Sequence, residues 1–262
     1  MLRGGYTHGR RKKMGVYIFC GIQTEDDSNF GTVEVEGEER DTYLVRYKDA
    51  AFVAATVPMK IYSPNQENLM MHQSLVAKVM EEKESVIPVS FGNVFKSKED
   101  VKILLEKLYP QFEKLFPEIK GKFELGLKVI GKQEYLESTV KSNANIQSMS
   151  KNVQGKSKDA GYFDRMKLGE ATQKIIEGLR KDIEADIYKP LEKLSTAGRV
   201  NDPQGEKVLL NAAFLVDRNQ DEKFDAKVNQ LYEKYQDKVD FKYTGPWPAY
   251  NFVNIRLNIE GS

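Results

Sequence analysis

Cysteine and histidine, which often act together in nucleophilic catalysis, are scarce in this sequence. The chain contains one cysteine, Cys20, and two histidines, His8 and His72. A cysteine becomes a strong nucleophile when a nearby histidine takes its proton, so Cys20 and His72 form a candidate pair. Cys20 also closes an apolar run, and His72 falls on the apolar face of a helical pattern, which are both typical places for buried core residues. We therefore expect core roles, and a small-molecule or catalytic pocket near Cys20 and His72 remains the alternative.

Other signatures of catalytic and ligand sites fail on composition or spacing. Two histidines are too few for a histidine-rich zinc site. The triplet Gly155-Lys156-Ser157 resembles the end of a phosphate-binding loop, but the earlier glycine of that motif is replaced by Ser150. The sequence thus predicts no metal, no cofactor and no enzymatic activity.

Composition excludes several further classes of protein. The 262 residues include 40 Lys and Arg and 39 Asp and Glu, a net charge of +1, which gives no general reason to bind nucleic acid or a membrane surface. No apolar run reaches the roughly 18 residues of a membrane helix. A lone cysteine cannot form an intramolecular disulfide, so we expect a reducing compartment. Residues 1–13 are basic, and we interpret them as a disordered, solvated leader.

Strands dominate the first part of the chain, with two helices among them. Ser63 and Pro64 predict the start of one helix, and Ser97 with Asp100 predicts the start of another, which Pro110 should interrupt. Pro88 cannot donate to a strand ladder, so its strand should lie at a sheet edge or carry a bulge. The predicted strands are 15–21, 31–35, 42–47, 52–57 and 85–91, with a hairpin between the third and fourth.

The second part of the chain is predicted to be richer in helix. The polar composition of residues 138–158 predicts a loop or flexible insert. A long helix should follow from Gly161 to Leu194, and Pro190 should kink or end it. Strands are expected at 123–130, 208–216 and 239–243, with an amphipathic helix at 221–236. The stretches from Ile87 and from Leu209 each follow a strand–helix–strand plan, like half of a ferredoxin-like unit. Together these patterns predict an α+β protein with mostly antiparallel sheets and helices packed on them.

The segment PWPAYNF at 246–252 has an unusual composition. Prolines fix its backbone, and Trp247, Tyr250 and Phe252 offer a large contact area at small entropic cost, which suits a rigid recognition surface. The alternative is that these aromatic side chains fill the core behind the last strand.

Four segments in order resemble one protein family. VIPVSFGNVF at 86–95, EKLYPQFEKL at 106–115, KFELGLKV at 122–129 and GPWPAYNFV at 245–253 together are similar to the gas vesicle accessory proteins of the GvpF/GvpL family, with the GvpF branch nearer. The resemblance runs from about Gly15 to the C-terminus. Many relatives carry a basic residue where this chain has Ser90, so this chain lacks any partner contact that the basic side chain makes in those relatives.

The resemblance implies an architecture and a role. It implies an N-terminal α+β domain at 14–117 and a modified ferredoxin-like domain at 118–262 with a helical insertion at about 132–195; the polar stretch 138–158 is a competing boundary. It also implies a non-enzymatic cytoplasmic protein of the gas vesicle that binds the hydrophobic major shell protein and prevents its aggregation during nucleation. Other gas vesicle accessory proteins are further possible partners.

Two devices in the sequence could bind the shell protein. The strand edge around Pro88 and Phe91 could accept a partner strand, and Trp247, Tyr250 and Phe252 could supply aromatic anchors. The long helix at 161–194 is a third candidate surface, although its apolar stripe also suits packing against a sheet.

Overall fold

The first sheet contains six strands, and its order is β2-β3-β4-β1-β5, with β6 also pairing with β1. The structure, a computed structural model, describes residues 13–157 and 160–255. The basic leader predicted at 1–13 therefore lies, apart from Lys13, outside the described residues. The strands are β1 (Met14–Gln23), β2 (Thr32–Val35), β3 (Glu38–Tyr47), β4 (Ala50–Pro58), β5 (Val86–Pro88) and β6 (Val94–Phe95), and the pairs along this order are antiparallel.

The strand that contains Pro88 lies at an edge of this sheet, as predicted. β5 pairs with β1, with Pro88 opposite Cys20, and no other described strand pairs with it. It is shorter than the predicted 85–91, because the chain leaves the ladder after Pro88 and forms a turn around Gly92, where φ is 90°. Glycine adopts this positive φ without steric cost.

Helix α1 (Gln66–Glu82) begins later than predicted. The Ser63 cap was wrong: the side chain of Asn65 accepts the N–H of Asn68 instead, and Asn65 itself donates its N–H to the Ser63 carbonyl. Asparagine satisfies a free N–H of the first turn as well as serine does.

Helix α2 (Lys98–Ile119) begins at the predicted cap, because the Ser97 hydroxyl accepts the N–H of Asp100. The predicted interruption at Pro110 was wrong, and the helix continues through it. A proline inside a helix loses one hydrogen bond. Here the apolar stripe continues past the proline, and the burial of Phe112 and Phe116 offsets that loss.

Strand β1 forms the centre of the first core. Its residues from Gly15 to Ile22 are all buried. His72 of α1 packs on Tyr17 and Phe19, and Phe112 of α2 packs on Gly21 so closely that a Cβ at residue 21 would lie 2.6 Å from its ring. The two helices therefore cover this strand, which explains why its sequence is continuously apolar instead of alternating.

The second sheet has four strands, in the order β10-β7-β9-β8. They are β7 (Lys122–Gly131), β8 (Ala197–Val200), β9 (Val208–Asp217) and β10 (Val239–Trp247), and helix α7 (Asp221–Tyr235) connects the last two. With helices between β7 and β8, the chain order is βαββαβ, the ferredoxin-like plan. The half-unit predicted from Ile87 was wrong, because its first strand lies in the first sheet and its last strand, β7, lies in the second.

The connection between β7 and β8 is helical. It contains α3 (Gln133–Ser142), α4 (Ala144–Val153), α5 (Tyr162–Ile183), a π-helical turn (Glu184–Tyr188) and α6 (Lys189–Glu192). The predicted loop at 138–158 was thus wrong for most of its length. Asn143 caps α4 by accepting the N–H groups of Asn145 and Ile146, and Leu136 and Ile146 bury the apolar sides of these short helices.

The long helix predicted to Leu194 changes its type before Pro190. The π-helical turn ends two residues earlier, at Tyr188, and Pro190 lies in the first turn of α6, where its missing N–H costs little.

The described chain forms two compact units. The second runs from Phe123 to Trp247, and the first contains the preceding residues together with those from Pro248 onward. The division after Lys122 falls five residues later than the boundary proposed at 117, and the C-terminal segment belongs to the first unit. Antiparallel ladders with packed helices confirm the α+β class. No helix among residues 13–157 and 160–255 is long and apolar enough to span a bilayer.

A candidate binding cleft at the edge of the first sheet

An apolar cleft of about 380 Å³ opens in the first unit beside β5. Ile18 of β1 and Phe52 of β4 lie among its lining residues, and three further parts of the chain, far apart in sequence, complete it. Helix α2 contributes Leu104 and Leu108, the edge strand contributes Pro88, and the C-terminal segment contributes Tyr250 and Val253.

The chemistry of this cleft suits an apolar occupant. No charged side chain occurs among the described residues that line it, and its polar side chains are Ser90, Asn93 and Tyr250. The Asn93 amide donates to the Ser90 carbonyl at 2.6 Å, so its hydrogen-bonding capacity is partly used inside the protein. A cavity of this kind binds by removing apolar surface from water, with little electrostatic selection.

The C-terminal segment is fixed by its own short turns. Tyr250 donates its N–H to the Pro248 carbonyl at 2.6 Å, and Phe252 donates its N–H to the Ala249 carbonyl at 3.1 Å. Ala249 is buried and anchors the segment, while the Tyr250 side chain is 43% exposed. The turn therefore presents Tyr250 at the mouth of the cleft without burying it.

The loop after β5 is tied to the core by a relay of hydrogen bonds. The Tyr17 hydroxyl accepts the N–H of Gly92 at 2.9 Å and lies 2.9 Å from Nδ1 of His72. Because the hydroxyl proton needs an acceptor, the hydroxyl donates to Nδ1, which leaves the imidazole proton on Nε2. Helix α1 thus holds the loop that walls one side of the cleft.

Burial keeps both members of this relay neutral. It raises the pKa of the Tyr17 hydroxyl to about 12. It also lowers the pKa of His72 to about 4, although a hydrogen bond with the Val89 backbone raises the pKa of His72 by a smaller amount. His72 is only 3% exposed, so an imidazolium here would be a poorly solvated charge. At neutral pH the relay therefore joins two uncharged groups.

Cys20 and His72 have the properties of packed core residues. Burial of the Cys20 thiol raises its pKa, so the reactive thiolate does not form near neutral pH. The hydrogen bond of His72 goes to Tyr17, and its ring stacks on Phe19 at 5.7 Å. This arrangement gives no support to a catalytic pocket at these residues. Among the residues that the structure describes, no cluster of three or more His, Cys, Asp or Glu could hold a metal ion.

The structure brings together two of the five residues predicted to bind a partner. Pro88 and Tyr250 both line the cleft. Phe91 is half-buried, with its ring 5.9 Å from that of His72, and Phe252 is half-buried in the C-terminal turn. Trp247 belongs to the second unit, where it pairs with Glu124 at the end of β10.

Sequence reasoning missed the contribution of α2 to the cleft. Leu104 and Leu108 are spaced as on one face of a helix, and this spacing alone does not distinguish residues that fill a core from residues that line an open cleft. The Tyr17–His72 relay was also missed, because its partners are 55 residues apart.

Comparisons with known proteins converge on one family. A family model described as "Gas vesicle synthesis protein GvpL/GvpF" matches residues 15–254. Gas vesicle protein F1 of Halobacterium salinarum is 26% identical over 242 residues, which cover 92% of this chain and 93% of that protein. Gas vesicle protein F of Haloferax mediterranei is also 26% identical over 242 residues, which cover 92% of this chain and 94% of that protein.

Solved structures show the same fold. The crystal structure of the gas vesicle protein GvpF from Anabaena sp. PCC7120 matches with a TM-score of 0.79 and 19% identity, over 93% of this chain and 99% of that one. The crystal structure of GvpF from Microcystis aeruginosa matches with a TM-score of 0.78 and 19% identity, over 91% and 98%. The fold described above is thus a known one.

Proposed function

The chain belongs to the gas vesicle synthesis family GvpL/GvpF and so has a role in gas vesicles, and we propose that it is an assembly factor and minor vesicle component that binds the hydrophobic major shell protein. In this proposal it works in the cytoplasm and at the vesicle, where it prevents shell subunits from aggregating during nucleation. Other accessory proteins of the vesicle are further partners. The family is not a known enzyme family, and the proposal contains no catalytic step.

The physical need for such a factor follows from the shell. A subunit that faces gas must carry a large apolar surface, and in water such a surface associates indiscriminately. A soluble protein that covers part of this surface lowers the concentration of exposed subunits.

The proposal rests on the uncharged apolar cleft beside β5. Its volume of about 380 Å³ accommodates a few apolar side chains of a partner. The neighbouring edge strand β5 offers backbone groups to an incoming strand, except at Pro88, which has no N–H. Tyr250 at the mouth combines apolar area with a hydroxyl, as anchor residues of interfaces often do.

The test measures aggregation of the purified shell protein by light scattering after dilution from denaturant, with and without this chain. We expect the wild-type chain to delay the rise in scattering. Tyr250→Asp should weaken this effect by about tenfold in the concentration required, because a carboxylate at the mouth must lose water when an apolar partner binds.

Tyr232→Asp is the matched control, because Tyr232 is 39% exposed and Tyr250 is 43% exposed, but Tyr232 lies on α7 in the second unit. Both variants should keep the circular dichroism spectrum of the wild type. Equal loss in both variants would show that the cleft is not the binding surface. A wild-type chain that leaves the shell protein aggregating as fast as it does alone would refute the function itself.

A further inference from the structure

A second groove, of about 720 Å³, lies at the opposite edge of the first sheet from β5. One wall is strand β2, through Thr32, Val33 and Glu34, and the other is helix α1, through Met70 and Met71. β2 is the terminal strand of the sheet order, and within the part of the chain that the structure describes it pairs only with β3. The groove therefore runs beside an open strand edge.

The helix wall of the groove is apolar and adaptable. Met70 is 56% exposed although it lies on a helix whose other apolar residues are mostly buried, and Met71 and Leu75 continue the same wall. Methionine side chains are flexible and polarizable, so they adjust to differently shaped apolar partners.

Beside the strand wall, the face of the β2–β3 hairpin that carries Glu34 has uncompensated negative charge. Glu34 on β2 stands directly opposite Glu39 on β3, and the next pair on the same face is Thr32 opposite Asp41. None of these three carboxylates forms an ion pair with a residue that the structure describes. Like charges in directly opposite positions destabilise a sheet, so a cation brought to this face would relieve a cost that the free protein bears.

The ends of the groove do not cancel this charge. Glu67 in the first turn of α1 adds a further carboxylate to the lining. Lys78 is the cation among the lining residues, and its Nζ donates to the Phe30 carbonyl at 2.8 Å. Two carboxylates and one ammonium leave the lining acidic.

We propose that this groove binds an extended segment of a partner polypeptide in which apolar residues alternate with lysine or arginine. The segment adds to the open edge of β2 as a further strand. Side chains of a strand point alternately to opposite faces. One set of partner side chains then covers Met70 and Met71, and the other set lies beside Glu34, with Glu39 and Asp41 one strand further away on β3.

This site is independent of the proposed function, because it uses the other edge of the sheet and selects by charge. The cleft beside β5 has no charged lining and favours purely apolar surface, whereas the β2 groove requires basic residues in its partner. A chain with both edges occupied holds two segments at once.

The test uses three fluorescein-labelled hexapeptides and measures their affinity by fluorescence anisotropy at low salt. One alternates lysine and valine, one alternates glutamate and valine, and one has three lysines followed by three valines. We expect the alternating lysine peptide to bind at least about tenfold more tightly than either other peptide, and this preference to weaken in high salt.

Matched variants locate the binding site. The double variant Glu34→Lys, Glu39→Lys should weaken the lysine peptide by about tenfold, since each exposed ion pair contributes a small factor. The charge-matched control is the double variant Glu118→Lys, Glu206→Lys, at exposed positions of α2 and of the loop before β9. It should leave the affinity for the lysine peptide unchanged. Met70→Ser should also weaken binding, while Met166→Ser, at a residue that is 46% exposed on α5, should not.

Three outcomes would overturn the proposal. Equal affinity for the two lysine peptides would show general attraction of cations without strand addition. A dimer that forms with increasing concentration and is lost in Glu34→Lys, Glu39→Lys would identify a second copy of this chain as the occupant. Tighter peptide binding after removal of residues 1–13 would identify the chain's own basic leader as the occupant.

Discussion

Acidification should destabilise the wild-type protein more than the variant His72→Gln, because His72 is buried as a neutral imidazole. The change is a fall in pH from 7.5 to 4, applied to the wild type and to His72→Gln. Because burial depresses the pKa of His72 in the folded state to about 4, while the unfolded chain has the ordinary value of about 6.5, the unfolded state binds more protons throughout this interval. The stabilising effect of a neutral His72 is thus fully present above about pH 6.5 and is lost as the pH falls towards 4.

The size of the effect follows from the difference between the two pKa values. A difference of about 2.5 units corresponds to roughly 3 kcal/mol, since each unit is worth about 1.4 kcal/mol. His72 is 3% exposed, so solvent screens this effect little. A loss of about 3 kcal/mol is a large fraction of the stability of an ordinary domain.

The assay is urea unfolding followed by far-ultraviolet circular dichroism at several pH values. Glutamine does not titrate, and the carboxylates are common to both proteins, so the difference between the two pH curves isolates His72. We expect the unfolding free energy of the wild type to fall by about 3 kcal/mol more than that of His72→Gln between pH 7.5 and 4. Parallel curves would refute the assigned burial and neutrality of this ring.

A nuclear magnetic resonance titration of the imidazole gives a direct check. The signal that is missing in His72→Gln identifies the residue, and it should show no midpoint above about pH 5. Protonation also puts a hydrogen on Nδ1 and removes the acceptor of the Tyr17 hydroxyl, so the Gly92 amide should exchange faster once the ring is charged.

Two further predictions concern stability in other parts of the chain. Ser97→Ala should lower the unfolding free energy by about 1 kcal/mol in urea denaturation, because the first turn of α2 loses its cap. Ser97→Asp should retain most of the wild-type stability, because aspartate also caps helices. An alanine variant as stable as the wild type would contradict the capping role. Phe224→Ala should lower the unfolding free energy by about 3–5 kcal/mol, since Phe224 is fully buried against Phe214. Lys223→Ala, at the exposed neighbouring residue, should change the unfolding free energy by no more than about 0.5 kcal/mol. Similar losses in both variants would contradict the core position of Phe224.

Local patterns in the sequence predicted most elements, because each strand and helix carries its own signal. The Ser97 cap, the hairpin of β3 and β4 and the edge position of Pro88 all depend on residues that are close in sequence. The errors arose where distant packing outweighed a local preference. Pro110 should break a helix, yet the buried aromatic residues beyond it keep α2 continuous. Most of the polar stretch, as far as Val153, forms helices because a few apolar residues, such as Ile146, pack against α5.

The cleft could be predicted only in fragments. Pro88 and Tyr250 were each selected for a local reason, a missing donor and an aromatic cluster, and nothing in their spacing of 162 residues indicates that they line one cavity. The acidic face of the β2 groove was missed for a similar reason. Glu34 and Glu39 look like ordinary solvated charges until the hairpin register places them opposite each other.

The return of the chain to the first unit at Pro248 has a consequence for how the protein is made. Tyr250 and Val253 leave the ribosome only after the whole of the second unit has been synthesised, although the strands and helices that form the rest of the cleft emerge before Lys122. A nascent chain can therefore fold its first sheet early and still lack one wall of the cleft. Premature termination within the second unit would release a fragment with an incomplete cleft, so the binding proposed above requires a chain that extends at least to Ile255.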